Sequence, residues 1–173
     1  MKTAIVILVA LGVAAPSMAA PEKFVTDKAS PLRRVEAGKG EATIVRFTGA
    51  VAISGRFLVA WENVDQKRSH LRVVFKPDEY GAALLPHPVG AGAVTDLLLS
   101  NSEEAATMLL TPETAQKILA KELLSVEGEA RVTIRDYQAV VDCDHRWYMA
   151  RVVSAVQNRE VAAGLREDTR LGC

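Results

Sequence analysis

Asp142, Cys143, Asp144 and His145 stand side by side and form the densest group of reactive side chains in the chain. Two carboxylates and an imidazole are the donor types of a hydrolytic metal centre, and a thiol beside an imidazole pairs a cysteine nucleophile with its base. The spacing suits neither chemistry. Zinc and hydrolytic metal sites draw their ligands at helical spacing or from paired knuckles, and neither HExxH nor CxxC occurs. A nucleophilic Cys143 must also stay reduced although Cys173 is there to oxidise with it. The plainer reading is a disulfide at a hairpin end flanked by solvated carboxylates. His70 opens a strand and His87 sits between Pro86 and Pro88, so no regular element brings either to His145. No GxSxG elbow, phosphate-binding glycine loop or dinucleotide fingerprint is present, and Gly90-Ala91-Gly92 lacks both the preceding strand and the third glycine. These residues define no catalytic centre, and no cofactor is expected.

A second set is suited to binding. Trp61, Tyr80, Tyr137, Trp147 and Tyr148 offer flat rings, and Arg46, Arg56 and Arg72 on strand faces offer guanidinium groups, the ingredients of a stacking ligand surface. Core packing competes for the same rings, because the chain has only two Trp, three Tyr and four Phe.

The elements that must position these residues begin with a leader. Met1-Lys2, the apolar run Ala4 to Ala15 and then Pro16-Ser17-Met18-Ala19 read as a secretory signal peptide, with cleavage after Ala19. The run is too short for a permanent membrane anchor. A periplasmic or secreted protein is expected, with no transmembrane anchor after cleavage. The remaining chain of roughly 150 residues is one domain's worth. With 21 basic and 21 acidic residues, the charge balance argues against a dedicated nucleic-acid or anionic-membrane binder. Cys143 and Cys173 are the only two cysteines. In an oxidising compartment they are expected to pair, closing a loop of about thirty residues and stabilising by roughly 3 to 4 kcal/mol. Two free thiols, or an intermolecular bridge through Cys173, are the alternatives.

Residues 20–40 read as a flexible lead-in, residues 41–157 as the folded domain, and residues 158–173 as a tail pinned by the disulfide. From Glu41 onward, Thr43, Val45, Phe47, Val51 and Ile53 give period two with a bend at Gly49. Ser54-Gly55 then reads as a hairpin turn, with Phe57, Val59 and Trp61 on the returning strand and Leu71, Val73 and Phe75 on a third. Residues 80–95 read as a long loop, and Leu97 to Leu99 as either a short strand or a helix start. Ser102-Glu103-Glu104 opens one helix. Thr111 as N-cap with Pro112 behind it opens a second, which Gly128 is expected to end. Ala130, Val132 and Ile134 resume period two, and a phase slip at Arg135-Asp136 predicts a bulge before Tyr137, Ala139 and Val141. Trp147 to Val156 is the last strand.

The expected fold is β-rich α+β, a small five-stranded Greek-key barrel with one or two covering helices. With its Val45-Arg46-Phe47-Thr48-Gly49 strand, Thr111–Gly128 helix and Glu129–Val153 hairpin, the chain resembles secreted bacterial OB-fold proteins of undefined activity. That resemblance implies an OB-like barrel with a binding or scaffolding role and carries no catalytic residue onto this chain. The expected function is an exported, non-enzymatic binding module for an envelope or extracellular protein or glycan. The rival is a small secreted metal-dependent hydrolase built on Asp142 to His145.

Overall fold

A computed structural model describes residues 23–37, 43–65, 68–142 and 145–161. The elements are β1 (Phe24–Val25), β2 (Arg33–Ala37), β3 (Thr43–Thr48), β4 (Ala50–Asp65), β5 (Arg68–Pro77), α1 (Glu79–Ala83), β6 (His87–Pro88), β7 (Leu97–Leu99), α2 (Ser102–Leu109), α3 (Pro112–Leu119), β8 (Ser125–Asp142) and β9 (His145–Val161). The protein is a strand-rich α+β domain.

Two long strands organise it. β8 carries β3 and β4 end to end along one side, Thr43 opposite Val141 and Ala50 opposite Arg135, and it carries β9 along the other. β4 also pairs with β5, β5 with β7, and β7 runs parallel to β9. The neighbours therefore follow one another as β4, β5, β7, β9 and β8, and β8 returns to β4. Alternation does the sorting: Val51, Ile53, Phe57 and Val59 of β4, Leu71, Val73 and Phe75 of β5, and Val126, Ala130, Val132 and Ile134 of β8 point inward and are buried. At the bulge after Arg135, Asp136 takes φ 54° and the register shifts. The inward set moves there from even to odd positions, and Tyr137 and Ala139 stay in the core.

Ala105, Ala106 and Leu109 of α2 and Ala115 and Ile118 of α3 bury against this interior. The α3 start matches its sequence signature, with Thr111 Oγ1 accepting from the Thr114 amide at 3.3 Å and Pro112 at the first helical position. Its end does not. The helix stops at Leu119, and the amides of Glu122 and Leu123 close on the Lys117 carbonyl so that the chain can enter β8 at Ser125. Gly128 lies inside β8, where a β-carbon would overlap the Phe57 ring and meet the Arg159 carbonyl oxygen at 2.5 Å. It is a close-approach glycine and no helix cap.

Five other expectations change. Ser54-Gly55 is no turn: β4 runs straight through it, Gly55 sitting opposite Pro77 on one side and Ala130 on the other. The residues expected to form the third strand, 71–75, belong to the second strand of the circuit, and the third is the short β7. Residues 80–95 include part of α1 and all of β6. The lead-in is built into the fold over its described part, because β1 pairs with β6, β2 pairs with β3, and Leu32 is buried. Ser30 Oγ donates to the Leu84 carbonyl at 2.7 Å and accepts from the Leu32 amide at 3.3 Å, tying this segment to the chain after α1. At the other terminus β9 continues to Val161, past the expected start of the tail at 158. The expected signal peptide, residues 1–19, and both cysteines lie outside the described residues.

Where β7 ends, Asn101 continues its ladder with a side chain in place of a strand. Ser100 donates its amide to the Ala150 carbonyl at 2.9 Å, and Asn101 then both donates to Val152 O (2.9 Å) and accepts from Val152 N (3.1 Å). The same amide donates to Glu104, which Arg151 grips at 2.8 and 3.0 Å, and these contacts hold the Glu104 carboxyl below its usual value. Asn101→Ala is expected to cost about 1 to 3 kcal/mol, since it strips partners from two main-chain groups of β9. A urea denaturation curve measures it.

Candidate functional site

The binding set divides by strand parity. Tyr137 is fully buried, donates its hydroxyl to the Pro86 carbonyl at 2.7 Å, and stacks on the buried Tyr148 ring at 6.2 Å with an interplanar angle of 6°. Phe47 packs against Tyr137 at 5.5 Å and Phe24 against Phe47 at 5.5 Å. These four rings fill the end crossed by β1 and β2, so Tyr137 and Tyr148 are core residues and not ligand platforms. Burial, with Tyr148 beside it, pushes the Tyr137 phenol well above its ordinary value. Trp61 is a clasp: its Nε1 donates to the Ile118 carbonyl at 2.6 Å, and Lys121 Nζ lies 4.4 Å from its ring centre while donating to Ser69 Oγ at 2.7 Å.

Trp147 is 41 % exposed and Tyr80 75 % exposed, on β9 and α1 respectively. Arg46 and Arg56 also stand outside. Arg72 is half-buried on the outer face and grips Glu62 at 3.1 and 3.3 Å, with His70 Nε2 at 3.2 Å from the same carboxylate.

Register adds residues that the sequence reading passed over. Leu58 of β4 stands opposite Val74 of β5, Val74 opposite Leu98 of β7, and Leu98 opposite Met149 of β9. All four occupy the outward parity of their strands, because the residues flanking them, such as Phe57, Val59, Val73, Phe75, Leu97, Leu99, Tyr148 and Ala150, fill the interior. An apolar row thus follows the outer parity of four strands, with Val74 buried and Leu58, Leu98 and Met149 half-buried. On one side of it stand Arg56, Lys76, Asp96 and Trp147, and on the other Ala60, Arg72, Ser100 and Arg151. The cations are already matched: Arg56 with Glu127 at 3.6 Å, Lys76 with Asp96 at 3.6 Å, Arg72 with Glu62, and Arg151 with Glu104. No spacing rule within one strand reveals such a row, since each strand contributes a single residue.

Asp142 and His145 are paired partners at the end of the β8–β9 ladder. Cys143 and Asp144 fall outside the described residues, and with them the expected disulfide and half of the reactive cluster. Among the described residues, no three His, Cys, Asp or Glu side chains gather as a metal site, and no helix is long and apolar enough to cross a membrane. Comparisons with protein-family models, curated proteins and solved structures return no match.

Proposed function

We propose that this chain is an exported, non-enzymatic binding module of the OB type, acting in the periplasm or outside the cell on an envelope or extracellular protein or glycan. The row Leu58–Val74–Leu98–Met149 carries the reading: the core cluster forms without it, and Leu58, Leu98 and Met149 stay half-buried on the outer parity of their strands beside Val74, which is 4 % exposed. The strand order supports the OB assignment, since β4, β5, β7, β8 and β9 taken as strands one to five neighbour one another as 1-2-3-5-4-1, with α2 and α3 between the third and fourth. The face in question belongs to strands one, two, three and five. Ion pairing on its rim argues against a polyanion, which needs uncompensated cations. The module reading includes removal of residues 1–19 and a Cys143–Cys173 disulfide.

The rival, a metal-dependent hydrolase on Asp142 and His145, is separated by one variant. His145→Ala is expected to leave the melting curve within about 0.5 kcal/mol of the parent, as a substitution at the exposed first residue of β9. Elemental analysis of the purified mature chain is expected to find no stoichiometric metal. A stoichiometric ion lost in His145→Ala overturns the binding-module reading. Non-reducing peptide mapping is expected to recover Cys143 linked to Cys173, and two alkylatable thiols in the native protein would remove the bridge.

A further inference from the structure

We infer that the outward face where β4, β8 and β9 lie side by side binds a saccharide bearing one acidic group, a carboxylate or a phosphate; this rests on the binding-module reading and uses a face apart from the apolar row. Register builds that face. Arg131 stands between Ser54 and Val156, Thr133 between Ala52 and Ser154, and Arg135 opposite Arg151. These are the outward positions of their strands, because Ile53, Val132, Ile134 and Val152 between them are buried. Simple alternation would turn Arg151 and Ser154, three residues apart, to opposite faces. Val153, inserted between the Val152–Ile134 and Ser154–Thr133 pairs, is the extra residue that lets both face outward.

Charge singles out one side chain. Arg135 and Arg151 are directly opposite, a like-charge pair that is unfavourable when uncompensated. Each has its own answer: Arg135 lies 3.4 Å from Asp136, and Arg151 lies 2.8 Å from Glu104. Glu129, the outward residue of β8 before Arg131, stands between Arg56 and Arg159. Arg131 is exposed and has no ion pair among the described residues. The face therefore carries one guanidinium to spare.

The surroundings of Arg131 select the ligand. Ser54, Thr133 and Ser154 are short hydroxyl side chains that donate to and accept from sugar hydroxyls, and Val156, 66 % exposed, offers a C–H surface at the margin. The planar fork of an arginine takes a carboxylate or a phosphate through two parallel hydrogen bonds. One free fork suits one acidic group, whereas a polyanion needs several free cations. An added peptide strand finds nothing to pair with on β8, which is already bonded to β4 on one side and β9 on the other. From Arg131 to Arg135 the face runs about 13 Å, and across the three strands about 10 Å, which accommodates a short saccharide lying flat. No long side chain at Ala52, Thr133 or Ser154 holds it off the sheet.

Nuclear magnetic resonance titration of the isotope-labelled full mature chain tests this with sialyllactose and mannose phosphate, each beside its neutral counterpart, lactose and mannose. An acidic sugar is expected to shift the amide signals of residues 52–54, 131–135 and 151–156 and to bind about fivefold or more tightly than its counterpart, the two probes telling carboxylate from phosphate. Arg131→Ala is expected to weaken it about tenfold with the remaining amide spectrum unchanged, and Arg131→Lys to weaken it less, whereas Arg46→Ala should alter affinity less than about twofold. Binding of the acidic sugar to folded Arg131→Ala as tightly as to the parent overturns the inference, and so does equal binding of acidic and neutral sugars. Absence of binding by both acidic probes overturns it as well. The binding-module reading is decided separately, by the metal analysis of the parent and His145→Ala.

Discussion

Gly55→Ala is expected to destabilise the domain by about 3 to 5 kcal/mol, or to prevent recovery of folded protein, although it adds a single methyl group. A β-carbon at this position would overlap the Lys76 carbonyl oxygen and stand 2.8 Å from Pro77 Cα. Both obstacles are backbone, which cannot rotate aside as a side-chain end can. Gly55 is also paired on two sides, with Pro77 and with Ala130, so moving β4 to make room disturbs β5 and β8 together. Chemical denaturation of Gly55→Ala beside Gly92→Ala checks this. Gly92 has no atom within 4 Å of its would-be β-carbon, and its substitution is expected to be close to neutral. Equal, small effects at the two sites would mean that β4 does not pass between β5 and β8 as described.

Tyr137→Ala is expected to cost about 3 to 5 kcal/mol, the range for emptying a large buried aromatic site. It removes the central ring of the Phe47–Tyr137–Tyr148 stack and frees the Pro86 carbonyl that holds residues 84–88 against the interior. Tyr137→Phe separates the two contributions, keeping the ring and losing the hydrogen bond, at about 1 to 2 kcal/mol near neutral pH. The pH dependence has a definite sign. The folded-state phenol is raised above its ordinary value of 10.0 by burial, so its stabilising contribution is complete below that pH. Above it the unfolded chain ionises first, and stability falls as pH climbs towards the folded-state value. Tyr137→Phe is therefore expected to lose less stability than the parent between pH 10 and the alkaline unfolding point, which thermal melts across that range will read. A parallel decline in both proteins would show that another group governs alkaline unfolding.

Local pattern alone determined much of this molecule. Period two in Thr43 to Ile53, in Phe57 to Trp61 and in Leu71 to Phe75 marked strands, because alternation of side chains is a property of one strand whatever lies beside it. The Thr111-Pro112 start of α3 and the bulge at Asp136 were legible for the same reason: a cap or a phase slip is written in neighbouring residues. The outward position of Arg56 also followed from parity. Tertiary structure decided what each glycine is for. Gly55 and Gly128 look like a turn and a helix stop in sequence, and both prove to be places where another chain segment crosses too closely for a β-carbon. It decided that Leu97–Leu99 is a strand, since three leucines have no period until β5 and β9 bracket them. It buried Tyr137 and Tyr148, because which face of β8 and β9 turns inward depends on the strands and the β1–β2 segment closed over them. It alone assembled the Leu58–Val74–Leu98–Met149 row, since register between strands distant in sequence is set by the packing of the whole sheet and by no residue's immediate neighbours.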